Sequence, residues 1–176
     1  MTMEPLRIHD YLTIARQKIF DCTRPLNAEQ YAQEFPIGLG TLARTLTHIM
    51  ICEWAYVQRI QGRDFPPYEE WPIQDEKPPP FTVLEPTWIE QAKDTRTALR
   101  AVGDWSKELE YRVTRDDRPM IVTASLADLF TQLVLHEVHH RAQAMNMLRR
   151  LGVPVQDLDF NALMYKRRDV VGGARA

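Results

Sequence analysis

The sequence predicts an all-α protein with four main helices and long connections, which permit the crossovers of some four-helix bundles and leave the topology open. Four segments carry apolar residues at the alternating spacing of three and four that buries one stripe of a helix. The chain of 176 residues is 44% hydrophobic and 26% charged, a composition that suffices for one hydrophobic core. We therefore expect a single domain over residues 1–176.

The first two helices are expected near residues 5–23 and 38–61. Pro5 suits the first turn of a helix, and the apolar stripe that follows consists of Ile8, Leu12, Ala15, Ile19 and Cys22. Gln61 and Gly62 end the second helix. Its stripe consists of Leu39, Leu42, Leu46, Ile49, Val57 and Ile60.

The third helix is expected near residues 87–106, where Thr87 and Glu90 have the spacing of a capping box. Its stripe consists of Trp88, Ala92, Thr95, Leu99 and Val102. Beyond it, charged residues alternate with Leu109, Tyr111 and Val113. A turn-like segment at 116–119 follows, and this pattern favours a short β-hairpin before the last helix.

The fourth helix is expected near residues 125–151. Ser125 and Asp128 form a weaker capping box, and Gly152 marks the end. Its stripe consists of Leu126, Leu129, Leu133, Ala144, Met147 and Leu151. We expect the remaining residues, 153–176, to form a C-terminal tail.

A long connection over residues 63–85 separates the second and third helices. It contains six prolines before residue 81, so it is neither a regular helix nor a central strand. The segment is therefore a crossover or a lid. Its aromatic residues are expected either to cover a cavity or to form a dimer contact; they are Phe65, Tyr68, Trp71 and Phe81.

Composition excludes several function classes. Lys and Arg total 22 against 24 Asp and Glu, and no basic block is dense enough to follow a phosphate backbone, so we expect no nucleic-acid partner. No apolar run reaches the roughly 20 residues of a membrane span, and the N-terminus lacks the order of a signal peptide. We expect a cytoplasmic protein with Cys22 and Cys52 as reduced thiols.

The chemically informative residues are His136 and His140. They fall on the same arc of the last helix as its apolar stripe, so both imidazoles replace core side chains. Buried imidazoles one turn apart are costly unless they are bonded, and this spacing lets both reach one metal ion. The alternative is two core histidines bonded to neighbouring polar groups.

A third metal ligand must come from another segment, and His48 is the leading candidate. It lies on the side of the second helix opposite the main leucine stripe. The other residues on this side are small or polar, which suggests a cavity wall; they are Thr41, Thr45, Cys52 and Ala55. Alternatively, His48 is a partly exposed surface residue and Cys52 substitutes as the ligand. We expect His9, beside Asp10, at the surface.

His136, Glu137 and His140 also match the zincin protease motif. However, no glutamate follows Glu137, no histidine occupies the metzincin position, and helices rather than a sheet precede the motif, so a protease is not expected. Two interpretations of Glu137 stay open. Either it orients His48 or acts as an acid or base, or it forms an ion pair with Arg141 inside the bundle.

The chain resembles the DinB/YfiT-like family of metalloenzymes over nearly its whole length. The resemblance rests on Leu46-Thr47-His48-Ile49 with Trp54, on His136-Glu137-x-x-His140-Arg141-x-Gln143, and on Gly152-Val153-Pro154 leading to Asp157-Leu158-Asp159-Phe160. It implies a four-helix bundle of unusual topology. It also implies one metal ion held by His48, His136 and His140.

The resemblance further implies a site for a divalent ion, zinc or nickel, with an open coordination position. Relatives include thiol-dependent transferases, so we expect an enzyme that acts on a small molecule, by S-transfer with a low-molecular-weight thiol or with water. The alternatives are a non-catalytic metal-binding module for stress response or assembly, and a bundle without metal. A homodimer is expected by the same resemblance.

Overall fold

The computed structural model of the chain describes residues 4–115 and 118–168. The described part is mostly helical, with a two-stranded hairpin and a 3-10 turn at Tyr68–Glu70. Its six helices are α1 Pro5–Thr23, α2 Ala28–Ala32, α3 Leu42–Ile60, α4 Phe81–Ala101, α5 Leu126–Arg150 and α6 Phe160–Met164. None of these helices is long and apolar enough to cross a bilayer.

Helices α1 and α5 have the bounds that their local signals predict. Pro5 occupies the first turn of α1. At the start of α5, the Ser125 hydroxyl accepts a hydrogen bond from the Asp128 backbone N–H at 3.1 Å. The Asp128 carboxylate accepts one from the Ser125 N–H at 3.1 Å. This reciprocal capping box satisfies two of the donors that a helix start leaves unpaired.

Helix α3 begins at Leu42, four residues after the predicted start at residue 38. Gly38 and Gly40 have φ angles of +49° and +88°. A right-handed helix has negative φ angles, so it cannot begin before these two glycines. Thr41 then caps the helix, and its hydroxyl accepts a hydrogen bond from the Arg44 N–H at 3.0 Å.

Helix α4 corrects the prediction of a helix over residues 87–106. It begins at Phe81 and ends at Ala101, with Pro86 inside the helix. The Thr87 hydroxyl does not cap the helix but donates within it to a backbone carbonyl one turn back, at 2.8 Å. Leu84 is fully buried. Burial of this first turn therefore outweighs both the proline and the local capping signal.

The predicted β-hairpin is present, with β1 at Glu108–Arg115 and β2 at Arg118–Ser125. The strands are antiparallel, and Leu109 lies opposite Ala124. Residues 116 and 117 of the predicted turn lie outside the described residues. Because β2 runs directly into α5, the hairpin covers the start of that helix.

The long helices contact one another in a closed order, since α3 packs on α4 and α5, and α1 packs on the same two helices. The short helix α6 lies in the predicted tail and packs on α1. There the ring centres of Phe160 and Tyr11 are 5.1 Å apart, and the Tyr11 hydroxyl donates to the Leu158 carbonyl at 3.0 Å. Part of the tail is therefore ordered against the core, while residues 169–176 lie outside the described residues.

Candidate metal centre

Three histidines converge where α3 packs against α5. His48 comes from α3, and His136 and His140 lie one turn apart on α5. One nitrogen from each imidazole lies within 4.8 Å of the other two. The Nε2 atoms of His48 and His136 are 3.1 Å apart. The structure thus brings together the three histidines that the sequence pattern singles out.

The neighbours of His48 on α3 form less of a cavity wall than its sequence position predicts. Thr45 is fully buried, and its hydroxyl donates to the Thr41 carbonyl at 2.7 Å and lies 3.9 Å from the sulfur of Met147. Ala55 is also buried. The side of α3 that carries His48 is therefore partly core, while Thr41, His48 and Cys52 are partly exposed.

Asp75 contacts the Nδ1 edge of the His48 ring, whereas the Nε2 edge faces the other histidines. Its Oδ2 lies 2.8 Å from His48 Nδ1, and its Oδ1 accepts a hydrogen bond from the Tyr68 hydroxyl at 2.9 Å. A carboxylate at Nδ1 favours the tautomer that carries its proton there, so the Nε2 lone pair faces the other histidines. No sequence pattern singles out Asp75, because it lies in the proline-rich connection, which has no periodicity.

Gln143 plays the matching part for His140. Its Oε1 lies 2.9 Å from His140 Nδ1, and its Nε2 donates to His139 Nε2 at 3.0 Å. Gly38 approaches so closely that a Cβ there would lie 2.2 Å from Gln143 Oε1. The glycine turn before α3 therefore leaves room for the amide that orients His140.

His136 and His140 are uncharged at neutral pH. Burial, with the neighbouring His140 and His48, lowers the pKa of His136 to about 3. Burial also lowers the pKa of His140. Neutral imidazole is the form that binds a metal ion. A zinc ion lies about 2.0–2.1 Å from each histidine nitrogen, so the 3.1 Å separation is short enough for two of them to share one ion.

Cys52 touches the cluster without joining it. Its sulfur lies 3.7 Å from Nε2 and 3.9 Å from Nδ1 of His48. A sulfur on the Nε2 lone-pair axis would be much farther from Nδ1, so the near-equal distances place it beside the ring. Burial raises the pKa of the thiol to about 12, which keeps it protonated. Cys52 therefore does not act as the substitute ligand in this conformation.

His9, expected at the surface, is buried in α1 and only 3% exposed. His9 lies on the buried side of α1 together with Leu12 and Arg16. Two polar residues, His9 and Arg16, therefore lie on the core side of this helix, although their polarity predicts the solvent side. Burial lowers the pKa of His9, and neither ring nitrogen has a partner among the described residues. It does not belong to the three-histidine cluster.

Glu137 forms the ion pair that was one of its two interpretations. Its Oε2 lies 2.7 Å from Arg16 of α1, and its Oε1 lies 3.4 Å from Arg141. The same Arg16 pairs with Glu53 of α3 at 2.7 Å. The Glu53 carboxylate also accepts hydrogen bonds from Trp88 at 2.7 Å and from a threonine of α4 at 2.6 Å. Both carboxylates of this buried cluster are thus engaged, and a catalytic role for Glu137 stays a prediction.

The connection between α3 and α4 packs over α3 through its aromatic residues. The ring centre of Trp71 lies 5.1 Å from Trp54 and 5.4 Å from Phe65. Tyr68 joins the same group at 5.1 Å from Trp71. Phe81 differs, because it packs into the core against aromatic rings of α1 and α2. Three of the four predicted aromatics therefore pack together against α3, and Tyr68 links the group to Asp75.

Comparisons with known proteins agree with this architecture. The sequence profile of the DinB family matches residues 1–169. A comparison with curated proteins gave no significant match. Among solved structures, the chain is similar to a DinB-like protein from Bacillus cereus ATCC 10987, with a TM-score of 0.57 and 22% sequence identity. The alignment covers 84% of this chain and 91% of that chain, and it supports the fold alone.

Proposed function

The chain belongs to the DinB family, and we propose that it is a metal-dependent enzyme in which His48, His136 and His140 hold one divalent ion. The observation that supports this most directly is the convergence of three imidazole nitrogens within 4.8 Å. Three imidazole ligands with no carboxylate or thiolate among them suit zinc or nickel better than magnesium or calcium.

The surrounding residues support the same proposal. Asp75 and Gln143 each accept a hydrogen bond from the Nδ1 side of one histidine, at 2.8 and 2.9 Å. Ligating histidines in metalloproteins usually donate their second nitrogen to such an acceptor, which fixes the ring and makes the ligand nitrogen more basic. In this chain, Asp75 would orient His48, and Gln143 would orient His140.

The number of ligands favours catalysis over a purely structural site. Structural zinc sites normally have four protein ligands, whereas three leave a position for water or substrate. When bound, the ion would act as a Lewis acid that lowers the pKa of a coordinated water or thiol. We propose that a low-molecular-weight thiol is transferred as its thiolate to an electrophilic small molecule, because thiolate is a good ligand for zinc. The S–H proton is lost and an S–C bond forms, either by addition or with departure of a leaving group.

Elemental analysis of the untagged protein tests the metal site. We expect about one zinc or nickel ion per chain, and loss of the metal in His48→Ala, His136→Ala and His140→Ala. His139→Ala is the matched control, since His139 is an exposed neighbour on the same helix. Retention of metal by all three variants, or no uptake by the wild type after incubation with zinc and nickel, would refute the proposal.

Cobalt substitution separates an enzyme from a non-catalytic metal-binding module. An open position predicts that the visible spectrum of the cobalt protein changes when 2-mercaptoethanol or azide is added. A spectrum that stays constant at saturating thiol would favour the non-catalytic module. Cys52→Ser provides a check, because the partly buried thiol beside His48 should not produce the response itself.

We also propose that α1, α3, α4 and α5 form a single four-helix bundle domain. The closed order of contacts among these helices supports it. Both cysteines are free, which is consistent with a reducing compartment such as the cytoplasm. Size-exclusion chromatography with light scattering tests the homodimer that the family resemblance implies.

A further inference from the structure

A cavity of about 650 Å³ lies at the C-terminal end of α3, where the connection to α4 begins and β1 passes by. Its size falls within the range of small-molecule sites. Three arginines line it together with two aromatic rings and two carboxylates. The lining residues are Arg59, Gly62, Arg63, Asp64, Phe65, Leu109, Glu110, Tyr111 and Arg112.

Arg59 is the fixed cation of this cavity. The carbon of its guanidinium group lies 4.4 Å from the ring centre of Tyr111, 4.8 Å from Phe65 and 5.9 Å from Tyr56. Among the described residues, no carboxylate lies within 4.0 Å of it. The aromatic faces hold the guanidinium in place without neutralising it, so its N–H groups are available to an anion.

The other charges of the cavity leave it cationic. Arg63 and Arg112 are exposed at its rim, and neither pairs with a carboxylate of the described residues within 4.0 Å. Asp64 and Glu110 are exposed as well. Three guanidinium groups against two carboxylates favour an oxyanion, since the planar fork of arginine matches carboxylate and phosphate.

The cavity and the histidine cluster lie along the same face of α3. His48, Cys52, Tyr56 and Arg59 follow one another at spacings of four, four and three residues. The ring of Tyr56 lies 6.1 Å from His136 and 5.9 Å from Arg59, so it bridges the two sites. The helix rise separates the backbones of His48 and Arg59 by about 16 Å, and the two contacts of Tyr56 keep the Arg59 guanidinium within about 12 Å of the His136 ring.

We propose that this cavity binds the carboxylate or phosphate end of the substrate, whose reacting end lies at the histidine cluster. The inference rests on the proposed metal site for the second half of that statement. It assigns the substrate to a class: an extended anionic molecule with up to about 12 Å between its acidic group and its reacting atom. Arg59 is then the residue that determines specificity.

Anion binding is tested first without metal. Inorganic phosphate is titrated into the EDTA-treated full chain while the arginine Nε–Hε signals are followed by NMR. We expect a saturable shift of the Arg59 signal, and affinity about tenfold or more weaker in Arg59→Gln. Arg100→Gln, an exposed arginine of α4 that does not line the cavity, removes the same charge and should bind as the wild type does. Equal, non-saturating shifts of all arginine signals would overturn the proposal.

The link to the metal site is tested with two thiols of equal length, 8-mercaptooctanoate and 8-mercaptooctanol. Binding to the cobalt-loaded protein is read from its visible spectrum. We expect the carboxylate to bind at least about tenfold more tightly than the alcohol, and the difference to vanish in Arg59→Gln. Equal affinities would overturn the inference while the proposed metal site stands. Phosphate binding in a chain that takes up no cobalt would refute the metal site and the substrate role but leave an anion site.

Discussion

Removing the carboxylate of Asp75 should weaken metal binding by about tenfold. Asp75 lies 2.8 Å from His48 Nδ1, where it stabilises the tautomer and the charge that develops when Nε2 binds an ion. Loss of such a partner typically lowers metal affinity 10- to 100-fold, or about 1.4 to 2.7 kcal/mol. The side chains of His48 and Asp75 are 24% and 16% exposed, so solvent screening places the effect at the lower end.

The measurement is the zinc dissociation constant of Asp75→Asn by competition with a chromophoric chelator. Glu76→Gln is the matched control. It removes the same charge from the same segment and also loses a contact with Tyr68, but it does not touch His48. We expect Glu76→Gln to bind zinc as the wild type does. If both variants lose affinity equally, the effect is general electrostatics, and if neither loses any, the Asp75 contact does not orient His48.

Three further predictions concern the residues around the site. Glu137→Gln should lower the free energy of unfolding by about 3 kcal/mol in urea titrations, because it leaves buried guanidinium charge uncompensated; a catalytic base would instead give an inactive variant of unchanged stability. Burial lowers the pKa of His9 in the folded chain, so the unfolded chain gains a proton at a higher pH than the folded chain does. Stability should therefore drop between pH 7.5 and 5.5, less so in His9→Gln, and equal drops would refute this. Gly38→Ala and Gly62→Ala both place alanine at positive φ, so each should lower the free energy of unfolding, measured by thermal unfolding, by about 1 kcal/mol. Only Gly38→Ala meets Gln143, so zinc affinity should fall in that variant alone.

The sequence predicted the elements whose signals are local. Helix α5 has a periodic stripe and a capping box, and both its bounds and its two cluster histidines agree with the structure. Helix α4 shows where local signals mislead. The Thr87 box is outweighed by burial of Leu84 and by the packing of Phe81, which depend on helices far away in the chain.

The buried ion pairs were not predictable by the same reasoning. Arg16 and Glu53 have polar side chains, and a polarity argument places both on the solvent side of their helices. Their pairing at 2.7 Å, with both side chains less than 5% exposed, depends on three helices meeting at one point. Asp75 was missed for a different reason. It lies 27 residues from its partner His48 in a segment without periodicity, so neither spacing nor pattern connects the two.

The segment from His136 to Arg141 contains two pairs of residues at i, i+4 spacing, and each pair contacts a different helix. His136 and His140 face His48 of α3, whereas Glu137 and Arg141 lie about 100° away around the helix axis and meet side chains of α1. The apparent zincin motif therefore divides between two surfaces of the helix. The base position of a protease is tied to Arg16 at 2.7 Å.

This division also explains how the cluster keeps its geometry. Arg16 of α1 pairs with Glu53 of α3 and Glu137 of α5, so one guanidinium joins the two helices that carry the histidines. A buried ion pair adds little net stability over apolar packing, but breaking one costs about 3–5 kcal/mol. A shift of α3 along α5 would break the pairs as it separates His48 from His136. The ion pairs therefore raise the free energy of any arrangement in which α3 is shifted along α5 and the three imidazoles no longer meet.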